Sequence, residues 1–179
     1  MFIYPVDEEI SLKLVTERDA EEVFQMIDSS RTYFREWLGW LDYSTKVQDT
    51  VDNIKGNLLK FVAQEGLDTA IVFNGKIVGK IGFNKINKAN KTAYIGYMLD
   101  EAFQGKGIMT RATKAMVNIA FEEYGLNKVE IHAAEGNTKS RSIPVRLGFK
   151  EEGTIRSAEW LYSQYVDHVV YGMLKEEWK

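Results

Sequence analysis

The stretch Gln104-Gly105-Lys106-Gly107-Ile108-Met109-Thr110 joins a β-rich run to a run with helical periodicity. Glycines let the backbone turn tightly and approach a ligand closely. At a helix start, free backbone N–H groups and the positive end of the helix dipole attract an anion. The spacing matches neither the nucleotide P-loop nor the dinucleotide fingerprint. The stretch therefore indicates either a phosphate cradle or a loop whose glycines serve only the turn.

Basic residues accompany this stretch. Arg111 and Lys114 are three residues apart, so they share one face of the helix that follows. Together with Lys106 they are candidates to meet additional phosphates. The chain's formal net charge of −3 disfavours nucleic acid as the main partner.

Outward from this stretch, the hydrophobic pattern predicts alternating β and helical segments. Apolar spacing of three and four predicts helices near residues 20–27, 47–64, 108–124 and 137–147. β-rich runs predict strands at residues 10–15, 69–73, 76–83, 92–99, 128–134, 149–156 and 165–174. Asn74-Gly75 between two such runs is a strong hairpin signal, because both residues tolerate positive φ. The order predicts an α+β fold: a twisted, mostly antiparallel sheet of about seven strands, with about four helices on its faces.

Composition narrows the class of protein. The chain has no cysteine, so disulfides and a cysteine acyl-enzyme are excluded. His132 and His168 are too isolated to suggest a metal site, and both are interpreted as structural. Neither a signal peptide nor a membrane-spanning run is apparent, and we expect a cytoplasmic protein without a membrane partner. No linker or repeat divides residues 1–179, which predicts a single domain.

A second polar segment, Asn137-Thr138-Lys139-Ser140, precedes Leu147-Gly148-Phe149. Asn137 can cap a helix, and capping alone would explain its presence. Ser140 in the first turn is likewise compatible with an ordinary helix start. From the residues alone, a functional role for either is one of two open interpretations.

Taken together, these motifs resemble those of the GNAT N-acetyltransferase superfamily. The pattern Gln-x-x-Gly-x-small at a strand–helix junction, followed by Asn-x-x-Ser and Leu-Gly-Phe, carries the resemblance over nearly the whole chain. Residues 90–99 and 105–110, with Ala158-Glu159-Trp160-Leu161, resemble the RimL branch, which acetylates protein N-termini. Met109 departs from the superfamily pattern, where Gly or Ala is commoner, but Met is usual in this branch.

The resemblance implies a site for acetyl-CoA, with no metal. Pantetheine would lie between the strand that ends at Met98-Leu99 and the strand at residues 128–134, held also by Asn137 and Ser140. A backbone N–H near Met98 or Leu99 would polarise the thioester carbonyl. The residues implied at the pyrophosphate are Gln104, Gly105, Lys106, Gly107, Ile108, Met109, Thr110 and Arg111.

For catalysis, the resemblance implies Glu159 as the general base for the acceptor ammonium, through water, and Ser140 as the proton donor to the departing thiolate. A solvated surface acid remains the alternative for Glu159. An aromatic segment, residues 31–43, could line the acceptor groove opposite Trp160 and Tyr162, or could serve as core and subunit contact.

The acceptor itself stays open at this point. The leading expectation is a protein N-terminal α-amine, such as that of a ribosomal protein beginning with serine. The alternatives are a polyamine, an aminoglycoside or another small amine, and a non-catalytic coenzyme A-binding or ribosome-associated module. Relatives commonly self-associate, so we expect a homo-oligomer.

Overall fold

The computed structural model describes residues 2–179, which contain eight strands and five α-helices. The strands are β1 Ile3–Pro5, β2 Ile10–Leu14, β3 Leu67–Phe73, β4 Lys76–Asn87, β5 Thr92–Leu99, β6 Lys128–Ala134, β7 Lys150–Leu161 and β8 Gln164–Leu174. The helices are α1 Ala20–Ser29, α2 Arg31–Arg35, α3 Val47–Val62, α4 Ile108–Asn118 and α5 Thr138–Arg146.

All eight strands belong to one sheet, in the order β1-β2-β3-β4-β5-β6-β8-β7. Neighbouring strands are antiparallel except β5 and β6, which run parallel. The crossover between these two parallel strands contains α4. The α+β fold with a mostly antiparallel sheet is therefore confirmed.

Several boundaries differ from the expectation. β1 is an eighth strand, which the sequence did not predict because three residues are too few to show a period. β4 and β7 are each longer than their predicted runs. β7 reaches Leu161, so Glu159 lies on the strand itself rather than ahead of it. Its side chains are exposed over most of its length, which removes the apolar alternation that reveals a strand.

The β3–β4 hairpin forms where the sequence predicts it. Asn74 has φ of 48° and Gly75 has φ of 82°, the left-handed pair that a two-residue hairpin requires. The turn aligns Phe73 with Lys76 and starts the register of the central sheet.

The core has two layers, one on each face of the sheet. On one face, α4 packs its apolar stripe, including Ala112 and Met116, against Phe83, Ile95 and Ile131. On the other, α1 and α3 pack on β3 and β4; the buried side chains of that layer include Val23, Ile27, Ile54, Ala70 and Ile77. Each fully buried aliphatic side chain contributes about 1.5–3 kcal/mol from removal of apolar surface from water.

The α4 helix ends as the sequence suggests, with one local change. After Asn118 the helix continues as one π-helical turn, Ile119–Glu123. Gly125 then adopts φ of 60°, and the Leu126 N–H closes the end by donating to the Ala120 carbonyl. None of the helices within residues 2–179 is long and apolar enough to cross a membrane.

Candidate active site

A cleft opens where the two parallel strands part. β5 and β6 pair from Thr92 with Lys128 to Ile95 with Ile131, and no further. Beyond that point residues 96–99 and 132–134 line a cleft of about 1430 Å³. At the same level β4 has a register shift between Phe83 and Lys85. A β-bulge raises the local twist of a sheet, which favours the separation of neighbouring strands.

One end of the cleft has the features of a phosphate cradle. Gly105 and Gly107 have φ of 75° and 70°, in the left-handed region that favours glycine. The first intrahelical bond of α4 runs from the Arg111 N–H to the Gly107 carbonyl. The preceding amides of the first turn have no acceptor within the helix, so they and the helix dipole are available to an anion. Gln104, Ile108, Met109 and Thr110 also line the cleft.

The predicted cations are placed differently from the expectation. Lys106 turns away from the cleft, with Nζ 5.1 Å from the centre of the Phe103 ring. Arg111 borders the cleft, but Nη1 donates to Asp7 Oδ2 at 2.8 Å and to Glu9 Oε2 at 2.9 Å. Burial alone would lower the pKa of Arg111, but its bonds to these carboxylates raise it, so the guanidinium stays protonated. Its positive charge is therefore already balanced by Asp7 and Glu9. Lys114 lies at a separate, smaller depression beside Asp7.

Two basic residues of α5 occupy the cradle instead. Lys139 Nζ donates to Gln104 Oε1 at 3.0 Å, and Arg146 Nη1 donates to Thr110 Oγ1 at 2.9 Å. Both line the cleft, and neither forms a salt bridge to a carboxylate within the described residues. The sequence does not reveal this placement, because Lys139 follows Gln104 by 35 residues and Arg146 follows Thr110 by 36, on another helix. Only the packing of α5 beside α4 brings their charges to the glycine-rich stretch.

Asn137 and Ser140 lie at the N-terminus of α5, on the cleft wall. Asn137 Oδ1 accepts a hydrogen bond from the Ser140 N–H at 3.1 Å, so its capping role is confirmed. Ser140 Oγ lies 3.3 Å from Tyr97 Oη, and Tyr97 Oη in turn donates to the Ser140 carbonyl at 2.9 Å. Burial raises the pKa of Tyr97 well above its ordinary range, so its hydroxyl keeps its proton.

Glu159 faces the cleft from β7. Its Oε2 lies 3.0 Å from His168 Nε2, and the two side chains are 36% and 20% exposed. β7 pairs Glu159 with Val166 on β8, and His168 is two residues further on the same face. This register brings His168, for which the sequence indicates only a structural role, into contact with Glu159. Glu159 is therefore a partly buried acid with an imidazole partner rather than a freely solvated one.

His132 also borders the cleft, where its contacts hold it in place. Its Nε2 lies 2.9 Å from Glu130 Oε2, and its ring packs edge-on against Tyr94 at 5.5 Å. Within residues 2–179 no cluster of His, Asp and Glu has the arrangement of a metal site.

The aromatic segment at residues 31–43 forms a wall of the cleft. Its members there are Tyr33, Phe34, Trp37, Leu38 and Trp40. The Trp37 ring lies so close to Gly136 that a β-carbon there would be 3.3 Å away. Tyr162 Oη donates to the Leu38 carbonyl at 2.5 Å, which ties this wall to the β7–β8 hairpin. Trp160, by contrast, packs on Tyr165 and is 54% exposed.

Comparison with known proteins supports this geometry. Residues 9–150 match the family described as an acetyltransferase (GNAT) domain. The chain is 30% identical over 169 residues to the ribosomal-protein-serine acetyltransferase of Escherichia coli (strain K12), with 94% of each protein covered. RimL, a ribosomal L7/L12 α-N-protein acetyltransferase solved in complex with coenzyme A, superposes with a TM-score of 0.94 at 28% identity, over 97% of this chain and 98% of that one. The microcin C7 self-immunity acetyltransferase MccE, solved with acetyl-CoA and AMP, gives 0.90 at 32% identity over 94% of both chains.

The fold, the cleft and these matches together define an enzyme that transfers acetyl groups. The chain belongs to the GNAT acetyltransferase family, as its motifs indicated. It is an acetyl-CoA-dependent N-acetyltransferase.

Proposed function

We propose that the chain acetylates the N-terminal α-amine of a protein, with a ribosomal protein that begins with serine as the leading acceptor. The observation that carries the proposal is the parting of β5 from β6. It connects the cradle at the start of α4 to the wall that holds Glu159. The likeness over nearly the full length to two ribosomal-protein acetyltransferases supports the choice of acceptor.

The residues at the cradle fit acetyl-CoA. The amides of residues 104–109 would hold the pyrophosphate, and Lys139 and Arg146 would add the positive charge that Lys106 and Arg111 were expected to supply. Met98, Leu99 and Asn137 would hold the pantetheine arm along the gap. When bound, acetyl-CoA supplies the activated acyl group as a thioester.

Glu159 takes the proton of the acceptor ammonium in this proposal, directly or through water. An amine attacks only as the free base. An α-amino group has a pKa of about 7.7–8.0 against about 10.4 for lysine. Deprotonation of lysine near neutral pH therefore costs about 3 kcal/mol more, at 1.36 kcal/mol for each unit. A single carboxylate, hydrogen-bonded to His168, is therefore a more adequate general base for an N-terminal amine than for a lysine side chain.

A small acceptor is the second candidate. The similarity to MccE, whose structure contains AMP beside acetyl-CoA, favours a small amine-bearing compound as the alternative. A panel settles the choice between acceptors: a peptide that begins with serine, the same peptide with a blocked N-terminus and one lysine, and a set of polyamines and aminoglycosides. Release of free thiol on the first peptide alone supports the proposal. Release on a small amine alone contradicts it.

Two further proposals accompany this function. The continuous eight-stranded sheet supports a single domain over residues 1–179. Self-association stays a prediction. Light scattering of the purified chain would measure its molar mass in solution.

Acetyl-CoA is expected to stabilise the chain against heat, because a ligand that binds only the native state adds to its stability. At 100 times Kd the gain is about 2.7 kcal/mol, which for a chain of this size raises Tm by roughly 5–10 °C. Differential scanning fluorimetry measures the shift. Acetyl-pantetheine, which lacks the pyrophosphate, should give a much smaller one. Equal shifts for the two ligands would contradict the cradle.

Ser140→Ala is expected to lower turnover, by up to roughly 10²-fold, the lower end of general acid catalysis. The effect is limited because a thiolate is a good leaving group and water can replace the hydroxyl. High pH should not restore the rate, since the missing group is an acid. Ser142→Ala, two residues along the same helix, is the control and should keep its activity. A rate for Ser140→Ala that recovers fully at high pH would rule out the donor role.

A further inference from the structure

Asn84 occupies the β-bulge of β4, where two strands separate beside it. The register shift between Phe83 and Lys85 leaves Asn84 without a partner on β5. Its carboxamide lies over Gly96, so closely that a β-carbon on Gly96 would overlap it. Gly96 is the first residue of β5 beyond the last pair with β6. The carboxamide therefore lies on the floor of the cleft, at the point where the gap opens.

The Asn84 carboxamide makes no hydrogen bond to residues 2–179. Three other polar side chains of the cleft are paired with each other: Lys80 Nζ lies 2.7 Å from Asp68 Oδ2, which also accepts from Asn57 Nδ2 at 3.0 Å. A carboxamide offers two donors and one acceptor. Asn84 can therefore bond a ligand on this part of the floor without breaking a hydrogen bond to the protein.

The position of Asn84 fits the backbone of an acceptor peptide. The resemblance places the thioester carbonyl near Met98 or Leu99, and Gly96 lies beside the Asn84 carboxamide. Gly96 and Met98 point to the same face of β5 and are two residues apart, about 6.6 Å along the strand. An extended acceptor covers that distance with two residues. Each of its peptide units has one carbonyl, which can accept from the carboxamide NH2, and one N–H, which can donate to the carboxamide oxygen. Because the Asn84 carboxamide is neutral, it can bind the acceptor backbone without selecting for the charge of the acceptor's side chains.

We propose that Asn84 binds one of the first two peptide units of the acceptor and so distinguishes a protein N-terminus from a simple amine. This rests on the proposed function. Asn84 is a specificity residue in this assignment: it contacts the acceptor at the first or second peptide unit after the attacking nitrogen and exchanges no proton. The wall at Glu159 and the carboxamide at Asn84 then hold the acceptor at two places.

The test uses peptides that begin with serine and in which the first or the second amide linkage is replaced by an ester, which removes one N–H. The wild-type chain should prefer the amide at one of the two linkages by roughly tenfold in kcat/KM, the effect expected from the loss of about one to two hydrogen bonds. Asn84→Ala should raise KM for the all-amide peptide by a similar factor and lose the preference. Asn90→Ala, an exposed asparagine of the β4–β5 turn, should behave as wild type.

Gly96→Ala provides an independent route, because it displaces the carboxamide while Asn84 is retained. It should also lose the preference for the amide, and both variants should keep the thermal shift with acetyl-CoA. A preference that survives in Asn84→Ala, or is missing in the wild type, overturns the assignment. A wild-type chain that acetylates no peptide N-terminus overturns the proposed function first, and that result is visible in the all-amide peptide alone.

Discussion

Glu159→Gln is expected to lower turnover by roughly 10²–10⁴-fold, the range for loss of general-base catalysis, while acetyl-CoA affinity stays unchanged. The amide keeps the shape of the side chain and its contact with His168, but it cannot take the ammonium proton. The rate is measured by thiol release with the identified acceptor, and affinity by calorimetry.

The pH profile separates this role from a structural one. Raising the pH above the acceptor's pKa of about 7.7–8.0 should partly restore the Glu159→Gln rate, because more of the amine is already neutral. Glu151→Gln, on the same strand and 56% exposed, is the matched control and should retain its rate. Full turnover of Glu159→Gln at neutral pH would show that the base assignment is wrong.

Gly107→Asp is expected to weaken acetyl-CoA binding by roughly 10–100-fold, or about 1.4–2.8 kcal/mol. The substitution places a negative charge at the helix start that faces the pyrophosphate, where like charges a few ångströms apart repel by about this amount in a partly solvated site. Nothing lies within 4 Å of the β-carbon position, so the side chain itself has room. Titration calorimetry measures the change.

Two further variants separate charge from backbone strain. Gly107→Asn has nearly the same shape without the charge, and asparagine tolerates the left-handed region. Gly75→Asp introduces the same residue at φ of 82° in the distant hairpin. Both should bind acetyl-CoA far better than Gly107→Asp. If Gly107→Asn is equally impaired, the loss comes from the backbone, and the electrostatic account of the cradle is wrong.

Local pattern was sufficient for much of the fold. β5 and β6 begin and end at the predicted residues, and α4 begins at Ile108 as the glycines before it indicated. Helical spacing, positive-φ turns and caps are set by residues within one or two turns of each other, so the sequence carries them directly. The extra strand β1 and the long β7 lack that local pattern.

The cradle contains features that local sequence pattern predicts and features that it does not. The sequence predicted the backbone part, residues 104–110, because glycines and a helix start are adjacent in the chain. It assigned the charge to Lys106 and Arg111, which are also adjacent. Packing instead places Phe103 beneath Lys106 and Asp7 beside Arg111, and moves Lys139 and Arg146 into the cleft.

By itself the sequence determined the class of enzyme and the start of α4, and it predicted Asn137, Ser140 and Glu159 as site residues. The tertiary structure alone decided which side chains meet: His168 beside Glu159, Tyr97 beside Ser140, and the carboxamide at the β4 bulge on the cleft floor. The physical reason is register. A shift of one residue between strands turns every side chain to the opposite face, and the register of distant strands is set by the packing of the whole core.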